Sequence, residues 1–160
     1  MSDTAFREHL VRVLDWEEAH VSFDRAIRRT RPDKRGVRPR GFEHSIWELV
    51  EHIRIAQADI LDFCVNATYN HVLAWPDDYW PKKNSKPTEA AWKKSIAAVK
   101  RDRDAMKDIV HTTPDLFAPV PTGKSDQTYA RAALLVADHT AYHVGQLVMM
   151  RRLVGAWAEG

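Results

Sequence analysis

His139 and His143 stand four residues apart, so on a helix their imidazoles stack on one face within reach of one metal ion. The surrounding stretch, Gln127–Trp157, has helical periodicity. Ala132, Leu135, Val136, His139, His143, Gln146, Leu147, Met150, Leu153 and Val154 recur at steps of three and four, which describes one apolar stripe. The two histidines and Gln146 interrupt the middle of that stripe. A buried imidazole without a partner costs stability, so polar groups aimed at a core need a reason. Metal ligation is one such reason. Peptidase chemistry of the HExxH kind is disfavoured, because Thr140 takes the place of the glutamate.

A third histidine belongs with this pair. His52 lies on the flank of another apolar stripe, in a row with Leu49, Ala56 and Phe63. Three neutral imidazoles leave a coordination position open for water or substrate, the catalytic rather than the structural pattern. Zn²⁺ and Ni²⁺ both suit such a site. Gln146, one turn after His143, is placed to orient a water or substrate, and Tyr142 to donate a hydrogen bond; helix or dimer packing is the plainer role for each. His20 falls in the stripe of the first helix and could face the same cavity, with a hydrogen-bonded core position as its default. Glu48, one turn before His52, either caps its helix or orients that ring. Cys64 lies twelve residues beyond His52, about 18 Å along a helix axis, and is a poor fourth ligand.

Helices must position these groups. The first is expected over Asp3–Arg29, with Phe6, Leu10, Val13, Leu14, Trp16, His20, Phe23 and Ile27 facing inward. A basic linker follows over Arg28–Arg40, broken by Pro32, Gly36 and Pro39; it reads as a solvated loop that could hold an acidic group. Ser45-Ile46-Trp47-Glu48 is a capping box that starts the second helix. Thr68–Pro87 is the long connection; its aromatic run Trp75-Pro76-Asp77-Asp78-Tyr79-Trp80-Pro81 cannot be continuous helix and suits bundle packing somewhat better than a lid. Thr88 caps the third helix, in which Trp92, Ile96, Val99, Met106, Ile109 and Val110 face the core and Asp102 and Arg103 belong to the solvated side. Gly155 sits where a helix C-terminus favours glycine. Four long amphipathic helices without a strand signal predict an all-α four-helix bundle, with a long crossover connection between helices two and three.

Composition bounds the function. A chain of 160 residues reads as one domain, 1–160, and buries about 70% of its unfolded surface. The formal net charge of +2 gives no argument for a nucleic-acid partner. The N-terminal residues do not form a signal peptide and no apolar run spans a bilayer, so no membrane partner is expected. A lone Cys64 cannot form an intrachain disulfide, and a cytoplasmic protein is the simplest expectation.

Ser45-Ile46-Trp47-Glu48-Leu49-Val50-Glu51-His52-Ile53, then Asp78-Tyr79-Trp80-Pro81, then Ala137-Asp138-His139-Thr140-Ala141-Tyr142-His143-Val144-Gly145-Gln146 resemble the DinB/YfiT-like family in order and spacing. The closing Arg151-Arg152-Leu153-Val154-Gly155-Ala156-Trp157 adds to the likeness. The resemblance implies a four-helix bundle with a metal held by His52, His139 and His143, and a homodimer. It also implies, as one known activity of the family, a metal-dependent transferase acting on a low-molecular-weight thiol and an electrophilic substrate. Two alternatives stand beside it. One is a metal-dependent hydrolase. The other is a non-catalytic, metal-stabilised binding module of a stress response. An open, partly apolar cavity above the imidazoles would favour an enzyme, and a site sealed by Trp75, Tyr79 or Trp80 would favour the module.

Overall fold

The computed structural model describes residues 3–157, so the two ends of the expected 1–160 domain lie outside the described residues. Five α-helices are present: α1 (Asp3–Val13), α2 (Phe23–Ile27), α3 (Ile46–Val65), α4 (Glu89–Thr112) and α5 (Tyr129–Leu153). The four longer ones form the bundle, and no strand occurs among the described residues.

The expected first helix is not continuous. It stops at Val13, and a short α2 restarts at Phe23 under a Ser22 N-cap whose side chain accepts from the Arg25 N–H. Tertiary ion pairs explain the break. Asp15 meets Lys107 at 2.5 Å and Asp24 meets Arg103 at 2.9 Å, so both sides of the break are fastened to α4. Glu17 and Glu18 pair with Arg25 and Arg12. Those contacts override a local preference for helix that is weak to begin with. Asp102 and Arg103, expected on the solvated side of α4, are both buried: Arg103 is drawn in by Asp24, and Asp102 pairs with Arg101.

The helix directions follow from contacts along the axes. Arg7 donates to the Val110 carbonyl while Asp15 reaches Lys107, so α1 and α4 are antiparallel. Trp47 lies against Trp92 and the Gln57 amide donates to the Val99 carbonyl, so α3 and α4 are parallel. His52 lies against His139 and His143, with Leu49 and Met150 together beyond them, so α3 and α5 are antiparallel. The order is therefore up, down, down, up. Two parallel neighbours oblige the 66–88 connection to run back along the 20-residue α3, roughly 30 Å. This is the long crossover expected from the sequence, and it carries Trp75, Tyr79 and Trp80 past His52.

The capping box of α3 holds as read. Ser45 accepts from the Glu48 N–H and the Glu48 carboxylate accepts from the Ser45 N–H. Thr88 and Thr128 cap α4 and α5 more simply, their side chains accepting from the Ala91 and Arg131 N–H groups. Gly155 ends α5 at φ +67, which only glycine adopts freely. The basic linker is only partly solvated. Arg35 is buried, pairs with Glu89 at 2.6 Å and lies over the Trp92 ring, and Arg38 grips Glu48 through two hydrogen bonds.

The core has two apolar clusters. One joins Phe23, Ile46, Ile53, Val99, Leu147 and Met150, and the other joins Leu10, Met106, Val110, Val136 and Ala137. On α5, His139 and His143 fall between Ala137 of one cluster and Val144 of the other. Apolar turns on both sides therefore shield the histidines, as the stripe predicted. Cys64 is buried, and burial pushes its thiol up to about 12, which leaves it inert.

Candidate metal centre

His52, His139 and His143 converge, with one ring nitrogen of each within 4.8 Å of the others. Helix register explains this. The i, i+4 pair on α5 sets its rings edge to face, 4.5 Å between centroids, and the antiparallel α3 brings His52 opposite them. His52 Nε2 and His139 Nε2 are 3.0 Å apart. Two nitrogens on one tetrahedral ion lie about 3.3 Å apart, so a small adjustment would admit the ion between them.

The outer ring nitrogens are fixed by the protein. His52 Nδ1–H donates to the Tyr79 carbonyl at 2.9 Å, and His143 Nδ1–H donates to Gln146 Oε1 at 2.7 Å. Each bond sets the tautomer that leaves Nε2 bare and facing the cluster, as a metal-binding imidazole requires. Gln146 thus acts on the His143 ring, where the sequence suggested a water or substrate. Glu48 does not touch His52: its oxygens are taken by Arg38, by the Ser45 N–H and by the Asn84 N–H. The orienting role considered for Glu48 belongs to the Tyr79 backbone, because the crossover, not the helix, supplies the acceptor.

Burial keeps the cluster neutral. It pushes His139 down to about 4, aided by the neighbouring His143 and His52. His143 is also lowered to about 4, burial prevailing over the Gln146 bond, which acts the other way. His52 is lowered by burial against the opposing Tyr79 bond. Neutral imidazole is the form that binds metal. A pH prediction follows for the metal-free protein. In the unfolded chain these histidines take up protons near pH 6.5, whereas in the folded chain His139 and His143 do so only near 4. The unfolded state binds more protons in that window, so stability rises with pH there and is lost as pH falls from 6.5 towards 4. Thermal melts in chelator should show this fall. The His139→Gln, His143→Gln double variant should show a shallower one, and equal slopes would count against buried neutral imidazoles.

The cluster forms one wall of a partly enclosed cavity of about 550 Å³. Trp80 stacks flat on His52 at 3.9 Å, and His44 stacks on the other face of Trp80 at 3.6 Å. Trp75, Phe42 and Met150 add apolar lining. The crossover therefore lines the cavity as well as packing the bundle; of its aromatics, Tyr79 is buried and Trp75 exposed. From the sequence Trp75 and Trp80 enter only as residues that could seal the site, and Phe42 and His44 not as part of it. The Asp78-Tyr79-Trp80-Pro81 stretch held the signal for Trp80, but nothing local shows which ring a loop tryptophan will cover.

The other candidates separate. Tyr142 lines the cavity, edge-on to His143 at 4.9 Å, and is 65% exposed. His20 is not brought to the cluster. It lies exposed on the loop that replaces the end of the expected first helix, with Nδ1 at 2.9 Å from the Val21 carbonyl oxygen. The helix break removes the stripe that would have turned it inward. The lining of the cavity begins at Gly41, so the Arg28–Arg40 segment is not part of it.

An all-α bundle in which two helices bring three histidines together defines a protein whose site could hold a divalent metal ion. Residues 15–147 match the family model of the DinB superfamily, and the chain belongs to that superfamily. Comparison with curated proteins and with solved structures gives no match. No helix among the described residues is long and apolar enough to cross a membrane.

Proposed function

We propose that the protein is a metal-dependent enzyme that transfers a low-molecular-weight thiol to an electrophilic substrate, with His52, His139 and His143 as ligands to Zn²⁺ or Ni²⁺. The observation that carries this reading is the position of three neutral imidazoles on the wall of a cavity of about 550 Å³. A divalent ion held there would supply Lewis acidity, lowering the pKa of a thiol so that it reacts as thiolate near neutral pH. The residues of the chain do the rest. Tyr79 and Gln146 hold two of the rings, and Trp75 and Trp80 exclude water from one side and offer aromatic surface to an apolar substrate. Tyr142 is placed to donate a hydrogen bond at the rim. A partly open cavity also argues against the sealed site expected of a metal-stabilised binding module.

Hydrolysis is the second reading, favoured by Glu43, a carboxylate that lines the cavity beside His44. It forms no hydrogen bond with the three histidines among the described residues. A thiolate, once formed, needs no such base. Cobalt-substituted protein separates the readings. With a physiological thiol added, a sulfur-to-cobalt charge-transfer band should appear and should be lost in His52→Ala. No band with any thiol tested, together with hydrolytic turnover that His52→Ala removes, would replace the transferase by the hydrolase.

In this reading residues 1–160 act as one cytoplasmic domain that pairs as a homodimer. Leu134, Tyr142, Met149 and Leu153 leave an exposed apolar stripe along α5, and a two-fold contact is the commonest way to bury such a face. Other second-row apolar residues are poorer candidates: Val148 packs against the core, Ile55 is half-buried and Trp16 is covered in part by Arg12. Sedimentation at micromolar concentration should show twice the 18.4 kDa mass of one chain, and Met149→Glu should halve it. A wild-type monomer would remove the dimer.

A further inference from the structure

A second cavity, about 520 Å³, lies in the same α3–α5 groove but shares no lining residue with the histidine cavity. Asp59 in its wall is seven residues after His52, so even their nearest lining residues on α3 stand roughly 10 Å apart along the helix. Its size is that of a small-molecule site. Ile60 and Phe63 of α3 face Leu135 of α5 across it.

The polar groups of this cavity are mostly engaged. The two oxygens of Asp59 accept from the Tyr69 and Tyr79 hydroxyls at 2.9 and 2.5 Å. His71 Nε2–H donates to the Tyr79 hydroxyl at 2.9 Å. Arg131 differs. This exposed arginine is a lining residue whose side chain has no hydrogen-bond or ion-pair partner among the described residues. The groove thus offers apolar walls, one permanently ionised guanidinium and a carboxylate each of whose oxygens already accepts a tyrosine hydroxyl. That combination selects an anion with an apolar body, because a charge-assisted bond to Arg131 supplies orientation and the walls supply burial.

We propose that this cavity binds a small amphiphilic carboxylate, with its apolar part between Phe63 and Leu135 and its carboxylate on Arg131. Calorimetric titration of the full chain with 4-phenylbutyrate tests it. Saturable binding of one molecule per chain is expected. Arg131→Glu should weaken it roughly tenfold or more, as should replacing the ligand by 4-phenylbutyramide, since each removes a charge-assisted hydrogen bond. Leu135→Gln should also weaken it. Lys94→Glu, an exposed change on α4, should leave it unchanged. Binding should persist in His143→Ala, which separates this site from the metal proposal: its loss there would place the ligand in the histidine cavity and overturn the assignment. So would equal affinity for the amide, indifference to Arg131→Glu, or no saturable binding.

Discussion

His143→Ala and His139→Ala proteins are expected to lose stoichiometric metal binding while remaining helical. The three-histidine set has no spare member: no other His, Cys, Asp or Glu joins the cluster among the described residues. Losing one of three ligands should lower affinity more than losing an outer-shell partner, which costs about 10–100-fold. Gln146→Ala calibrates that comparison. It removes only the acceptor that fixes the His143 ring, so it should fall within the 10–100-fold range while both ligand variants fall beyond it. The fold should survive, because Val136, Val144, Leu147 and Met150 of the same helix remain buried. At pH 7 and above, where the imidazoles are neutral in both folded and unfolded chains, the stability difference should therefore appear mainly with metal present, at about 2.7 kcal/mol when free metal is a hundredfold above the wild-type dissociation constant. Elemental analysis of untagged protein, paired with melts in metal and in chelator, measures both effects. Full occupancy in either histidine variant would remove these residues as essential ligands.

Glu48→Ala should destabilise the fold by about 3 kcal/mol or more, the effect of leaving one member of a buried ion pair alone. For a chain of this size the melting temperature should drop by roughly 6–12 °C. Glu48 is 2% exposed and joins three segments: Arg38 of the linker, the Ser45 N–H at the start of α3, and the Asn84 N–H in the crossover. Burial raises its carboxyl pKa, but Arg38 and the two backbone donors outweigh that, and the net shift is downward. The group therefore stays ionised, and removing it strands the Arg38 guanidinium. Arg38→Met added to Glu48→Ala should restore part of the loss, because the orphan charge goes with it. Additive losses in the double variant would show that Glu48 acts through its cap alone.

Periodicity and capping chemistry in the sequence determined the all-α class, three of the four bundle helices and the pairing of His139 with His143. These are local properties: an i, i+4 pair is close wherever the helix goes, and Ser45, Thr88 and Thr128 cap with atoms a few residues away. The inward face of His52 was equally legible, since its row on α3 is apolar. The end of α1 was not, because Asp15 and Asp24 find Lys107 and Arg103 some eighty to ninety residues later, and a stripe of apolar residues carries no trace of that pairing. His20 was misplaced for the same reason. Only the tertiary structure decided what surrounds the three imidazoles. Parallel packing of α3 against α4 sends the crossover back over His52, which puts the Tyr79 carbonyl on one of its edges and the Trp80 ring on its face. A backbone acceptor has no residue type, and stacking has no fixed spacing, so neither leaves a mark in the order of the amino acids.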